Sequence, residues 1–253
     1  MFTKAIVRKP AQSMIDGLTS AELGKPDHAL GLEQHAAYVQ ALEEIGLDVL
    51  VLDAMEGYPD SCFVEDVALL TPHCAILTRP GAESRRGEVA GIEQAVRQYF
   101  DKVETIGEPG TIEAGDIMMV GDDYYIGLSE RTNEEGANQM SALLAKYSLS
   151  AKLIEMSEML HLKTGLSYLE NNHLLACGEF IENSQFNRFN MHAVGLQDSY
   201  SANSVWINDT VLVPAGYPTT SAAIDKMGYK VKELEMSEFQ KLDGGLSCLS
   251  LRF

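Results

Sequence analysis

The feature that most limits how this chain can fold is a recurring pattern of strand, tight turn, strand, helix and strand. It returns about every forty to fifty residues. Phe63 to Leu70 opens one copy as a strand, Cys74 to Arg79 returns after a short turn, and a helix over Ser84 to Phe100 leads to a strand over Lys102 to Ile106. Glu113 to Val120 opens the next. Its turn is Gly121-Asp122-Asp123, followed by a strand over Tyr124 to Leu128, a helix over Asn133 to Tyr147 and a strand over Lys152 to Met156. A third opens with His161 to Leu169, turns at Asn171-Asn172 and returns over His173 to Cys177. The fourth opens near Ser201-Ala202-Asn203, turns at Asn208-Asp209 and runs through Thr210 to Pro214; a helix over Thr220 to Met227 and a strand over Tyr229 to Glu235 follow.

A fifth unit needs both ends of the chain. Lys4 to Arg8 reads as a strand and Asp48 to Asp53 as a buried one. Between them Leu30 to Ile45 forms an amphipathic helix, with Leu32, Ala36, Val39 and Leu42 on its apolar face and Gly46 as its stop. After Gly244-Gly245, two glycines that permit a tight turn, an alternating strand pattern runs to Phe253. An end this apolar frays unless a sheet holds it, so pairing with the N-terminal strand is expected, and that pairing closes a ring. The expected fold class is α/β: repeated ββαβ units around a central channel. No linker interrupts the chain, which reads as one domain over residues 1–253.

In such a ring the residues that open each unit converge on the channel. Those residues are Glu65, Asp66, Glu113, His161 and Cys248. Taken alone, a cysteine at the start of an apolar strand is a core residue, a histidine near a strand is more often structural, and Glu65 and Asp66 could cap a loop. Placed in register, they read as a nucleophile, an acid–base group and carboxylates. The connection from Gln12 to Asp27, with Gly17 and Gly24 near its ends, fits a mobile flap or a plain surface crossover.

Charge narrows the partners. A formal charge of −18 repels phosphates and argues against nucleic acid, while it suits a cationic small ligand. No apolar run approaches membrane-spanning length, and Met1-Phe2-Thr3-Lys4 begins a strand rather than a signal peptide, so a cytoplasmic location is expected. Cys62, Cys74, Cys177 and Cys248 are widely separated without metal-type spacing, which fits a reduced state.

Five ordered motifs carry a family resemblance: Phe63-Val64-Glu65-Asp66, the run from Arg79 to Glu88, Glu113-Ala114-Gly115-Asp116, His161-Leu162-Lys163-Thr164-Gly165, and Asp243-Gly244-Gly245-Leu246-Ser247-Cys248. Along essentially the whole chain, flap segment included, these motifs resemble the dimethylarginine dimethylaminohydrolase family of the guanidine-modifying, or pentein, superfamily. The resemblance implies a five-bladed, pseudo-symmetric α/β propeller that hydrolyses N-methylated arginines to citrulline and methylamines. It implies no metal and no cofactor, and it leaves a homodimer open.

The chemistry is consistent with the residues. A planar guanidinium needs a carboxylate that accepts two of its N–H bonds side by side, a part suited to Asp66 with Glu65 beside it. Cys248 would attack the central carbon, His161 would protonate the departing amine and then take a proton from water, and Glu113 would hold the imidazole and favour its charged form. Arg85 and Arg131, which alone would read as surface salt bridges, are assigned by the resemblance to the substrate's α-carboxylate. Asp60 falls to its α-amino side, Leu18 to the closing flap, and Leu242 and Asp243 to the pocket lining through their backbone. Two departures are mild: Cys62 stands where an apolar residue such as valine is familiar, and Leu249 where methionine is. The rival readings are a deiminase acting on arginine or agmatine and, from a different class, a non-enzymatic ribosome-binding factor. Agmatine has no carboxylate for the two arginines, and the ribosome-binding reading leaves Cys248, His161, Glu113 and Asp66 without a purpose.

Overall fold

A computed structural model describes residues 1–253 and contains five three-stranded sheets of one topology. In each, the middle strand pairs antiparallel with one neighbour and parallel with the other. Ala75–Leu77 lies between Ala68–Leu70 and Val103–Thr105, and Asp123–Leu128 between Ile117–Val120 and Ser150–Glu155. His173–Ala176 lies between Leu166–Tyr168 and Asn190–Ala193, and Thr210–Pro214 between Val205–Ile207 and Lys230–Leu234. The fifth sheet joins the ends as expected: Lys4–Arg8 pairs parallel with Asp48–Leu52 and antiparallel with Leu251–Arg252. Thr3 and Lys4 N–H both donate to the Phe253 carbonyl, at 2.9 and 2.8 Å.

Local chemistry explains the shared topology. Two hairpins turn on Asn171-Asn172 and Asn208-Asp209, four residues with positive φ, the twist that two-residue hairpins need. Parallel neighbours need a crossover, supplied by helices at His28–Glu44, Glu88–Val96, Glu134–Ala145 and Pro218–Lys226. The unit around His173 is the exception: its crossover holds only the short turns Gly178–Phe180 and Ser184–Phe186. No helix is long and apolar enough to cross a membrane.

The chain forms two compact units, Met1–Val64 with Asn203–Phe253, and Glu65–Ala202. In the second, the strand Asp123–Leu128 has a core on each face. Tyr124 and Ile126 pack with Ile76, Ile117 and Leu144, whereas Tyr125 packs with Leu174, Phe180 and Phe186.

Three expectations are corrected. First, the openings of the units are turns of helix before they are strands. Val64–Val67, Ala114–Asp116, Leu162–Gly165, Leu196–Ala202 and Ser247–Leu249 are helical turns, and the strands start only at Ala68, Ile117, Leu166, Val205 and Leu251. Cys248 therefore lies on a turn, and the strand beyond it is two residues long. A helical start leaves backbone N–H groups free for side-chain acceptors, whereas a strand would commit them to its ladder. Second, the buried face of the first helix is Gly31, Gln34, His35, Tyr38, Ala41 and Leu42; Leu32 and Ala36 face solvent. Polar groups are tolerated inside because they are paired: Tyr38 Oη donates to the Leu246 carbonyl (2.9 Å), and Gln34 Nε2 to Ser237 Oγ (2.8 Å).

Third, Asp48–Leu52 is a half-buried edge strand rather than a buried one. In the turn before Cys248 the residue in the left-handed region is Asp243, with φ 57°. The glycines after it are required by close approach. A Cβ at Gly244 would sit 2.2 Å from the Phe63 ring, and one at Gly245 would sit 2.5 Å from Asn203 Cγ.

His35 carries a stability prediction. Burial lowers its pKa from 6.5 to about 4; a hydrogen bond to the Arg8 backbone opposes the shift and the Lys9 charge adds to it. Because the folded value lies below the unfolded one, the unfolded chain takes up the proton first. The contribution is complete above pH 6.5 and is lost as pH falls towards 4, by roughly 3 kcal/mol. Denaturant midpoints of wild type and His35→Gln should therefore converge between those pH values. A constant gap would refute the assignment.

Candidate active site

The unit that contains Cys248 gathers Leu18, Asp60, Leu242 and Asp243 around the flap segment. Leu18 N–H donates to buried Asp60 Oδ1 at 2.9 Å, while Ser20 N–H and Oγ–H donate to Asp243 Oδ2 at 2.6 and 3.1 Å. A Cβ at Gly17 would lie 2.8 Å from Asp60 Oδ1 and 3.1 Å from the Leu242 side chain, so the chain passes this point only as glycine. The Asp243 side chain thus fastens the flap segment. From Ile15 to Lys25 most residues are exposed, and the segment is held by polar contacts rather than by burial.

Cys248 is the one free cysteine of four that is not fully buried. Its turn is stiffened by Asn203, whose Oδ1 accepts Ser247 N–H (2.9 Å) and whose Nδ2 donates to Ser247 Oγ (3.1 Å). Gly245 N–H points at Cys248 Sγ at 3.4 Å, a contact that suits a sulfur bearing negative charge.

The other unit contains Glu65, Asp66, Arg85, Glu113, Arg131 and His161. His161 Nε2 bonds Glu113 Oε2 at 2.8 Å, deep in the protein. Burial disfavours charge on His161, but Asp66, then Asp116 and Glu113, outweigh it and raise its pKa to about 9. Burial likewise works against the Glu113 carboxylate, yet the hydrogen bond and charge of His161, with Arg85 and the Ala82 N–H, hold it below the usual carboxylate range. At neutral pH the pair is imidazolium and carboxylate. Donor atoms of Asp66, Glu113 and His161 lie within 4.8 Å of one another; the imidazolium between the two acids accounts for that closeness.

Gly115 makes the cluster possible. Its N–H donates to Asp66 Oδ1 at 3.2 Å, and a Cβ there would meet that oxygen at 2.7 Å and the His161 ring at 3.0 Å. Asp66 Oδ2 takes a short bond from Arg85 Nη1 (2.5 Å), and Glu88 receives the rest of that guanidinium, Nη2 at 2.9 Å and Nε at 3.2 Å. Arg85 is therefore an arm of a buried ion triad, not a surface salt bridge. Arg131 is partly exposed, its Nη1 3.7 Å from Glu113 Oε1, and Glu65 pairs with Lys163 at 2.6 Å.

Sequence reasoning assigned no part to Glu88, Asp116, Lys163 or Asn203. The first three lie inside the quoted motifs and Asn203 in a unit opening, so position was a usable signal; Glu88 meets Arg85 three residues away, but the partners of the other three are set by contacts between distant segments.

Comparisons with known proteins bear on the family and the fold. A family model described as N,N dimethylarginine dimethylhydrolase, eukaryotic, matches residues 20–197. The N(G),N(G)-dimethylarginine dimethylaminohydrolase of Pseudomonas aeruginosa is 55% identical over 254 residues, covering 100% of both chains. Two solved structures of dimethylarginine dimethylaminohydrolase superpose with TM-scores of 0.99 at 54% identity over the full length of both chains. One, from P. aeruginosa, is a cysteine-to-serine variant complexed with citrulline; the other is a histidine-to-glycine variant in an adduct with S-methyl-L-thiocitrulline. With five sheets of one topology, that likeness makes the fold an α/β propeller of five pseudo-repeated units. On sequence and fold alike, the chain belongs to the dimethylarginine dimethylaminohydrolase family.

Proposed function

We propose that this protein hydrolyses N-ω-methylated arginines to citrulline and methylamines through a covalent adduct on Cys248, the 253 residues acting as one catalytic domain. The observation that carries the reading is the His161–Glu113 pair beside Asp66, a buried acid kept protonated at neutral pH next to a carboxylate suited to a guanidinium. The Cys248 thiol gives its proton to solvent as the cationic substrate binds, and the thiolate attacks the central guanidinium carbon and forms a C–S bond. The C–N bond to the methylated amine breaks as His161 delivers a proton to that nitrogen. Nε2–H is engaged by Glu113, so the Nδ1 proton is the one transferred. Water then adds to the same carbon, His161 takes its proton, and cleavage of the C–S bond releases citrulline and restores the thiol.

Binding follows from charge and plane. Asp66, with Glu65 beside it, receives the cationic head; the Gly115 N–H and Arg85 hold the Asp66 carboxylate in a fixed plane. Arg131, the more accessible of the two arginines, takes the α-carboxylate, and Arg85 holds Asp66 in place. Asp60 and the backbone of Leu242 and Asp243 take the α-amino side beneath the flap bearing Leu18.

The deciding experiment incubates the protein with arginine, monomethylarginine and asymmetric dimethylarginine and measures citrulline from each. Release from the methylated substrates in preference to arginine is expected. Release from arginine alone would favour a deiminase, and none from any would overturn the reading. Gly115→Ala offers a sharper check on the geometry. The added methyl displaces both Asp66 and His161, and a displacement of this kind is expected to cost about 10²-fold in kcat. Wild-type turnover in this variant would contradict the arrangement.

A further inference from the structure

Asp116 closes the Glu113-Ala114-Gly115-Asp116 motif and is fully buried, yet the chemistry above does not use it. Its Oδ2 accepts hydroxyl protons from Ser129 (2.7 Å) and Thr132 (2.6 Å), and its Oδ1 accepts the Leu162 N–H at 2.9 Å. Each donor leads to a group of the site. Ser129 Oγ accepts the N–H groups of Arg131 and Thr132, both at 3.1 Å, and Thr132 Oγ1 accepts that of Glu113 at 3.3 Å. Leu162 directly follows His161. One carboxylate therefore ties down the backbone that presents Arg131, Glu113 and His161.

The pattern also favours its charged form, because three donors converge on the carboxylate. Burial, the largest influence, leaves its pKa above the ordinary carboxylate value, and the charge of His161, the two hydroxyls and the Leu162 N–H act against that. We propose that Asp116 is a positioning residue for the hydrolysis, holding His161, Glu113 and Arg131 in register and placing a fixed negative charge near the imidazole. This rests on the reading of His161 as the acid. The other charges facing the ring are Asp66 from the Val64–Val67 turn and Glu113, itself faced by Arg85 and Arg131; Lys163, on the ring's own turn, is paired with Glu65.

Asp116→Asn tests both parts at nearly constant volume. If its amide NH₂ faces Leu162, two donors meet. If it faces the hydroxyls, Ser129 and Thr132 lose their acceptor while their oxygens already serve backbone N–H groups. The expected result is a kcat lowered by about 30-fold with KM within about threefold. The His161 titration, followed by NMR of labelled imidazole, should move down by about one pH unit, and the basic limb of the kcat profile should move with it. Thr132→Val keeps the charge and removes one tie, so a kcat lowered about fivefold with the titration unmoved is expected. An unmoved His161 titration in folded Asp116→Asn would overturn the proposal, whatever its kcat. Should that variant not fold, unchanged kcat in Thr132→Val would overturn it. Failure of the wild type to release citrulline would strike the functional reading instead, since the NMR titration reports on Asp116 without turnover.

Discussion

Cys248→Ser is expected to reduce citrulline release by about 10⁴-fold or more, near 5.5 kcal/mol of barrier, while binding of methylarginine stays within about threefold. The clamps around the residue remain: Asn203 still holds Ser247, Gly244 still meets Phe63, and a serine oxygen fills less space than the sulfur it replaces. What disappears is a polarisable nucleophile that attacks as its anion, because an alcohol at its ordinary pKa supplies almost none. Citrulline should be measured in single-turnover and steady-state assays, and binding by calorimetry. Turnover within tenfold of wild type would remove Cys248 from the mechanism.

The second large effect is expected at His161. His161→Gly removes the proton donor for the departing amine and the base for the attacking water, and a loss of about 10³-fold is expected. A substrate whose leaving group departs without a proton should still load the enzyme, so a covalent adduct should accumulate on Cys248 and appear as a mass increase in the intact protein. A variant that turns over normally without an adduct would refute the assignment. The wild type adds a pH signature. With the imidazole raised to about 9, the acid form persists through neutrality, and kcat should fall as pH rises through that value.

Much of this architecture was legible before any coordinates. The ββαβ repeat was readable because alternation, paired asparagines and helical spacing mark strands, turns and helices locally, and the C-terminal strand declared its need for a partner through its apolarity. Where reading failed, longer-range contacts decided. Leu32 and Ala36 looked like the core face of the first helix, but Tyr38 and Gln34 had partners at Leu246 and Ser237, about two hundred residues away, and took that face instead. The helical turns at the unit openings escaped notice because a few apolar residues fit a period of two nearly as well as one of three. Arg85 looked like a surface charge because its neighbour Glu88 fits an exposed i,i+3 pair, and nothing nearby reveals that Asp66 completes a buried triad. Asp116 belonged to a motif already singled out, but its three donors come from two other loops, and no spacing rule links residue 116 to 129, 132 and 162.

The joining of the chain's ends in one sheet has a consequence for biosynthesis. Residues 65–202 are contiguous and can close their own sheets as they leave the ribosome. The unit that carries Cys248 cannot, because Lys4–Arg8 must wait for Leu251–Arg252, a closure across nearly the whole chain. Until Leu251–Arg252 has been made, the first strand has one edge of its sheet unfilled. A chain still being synthesised can therefore hold three finished sheets in residues 65–202 while the sheet begun by its first strand stays open.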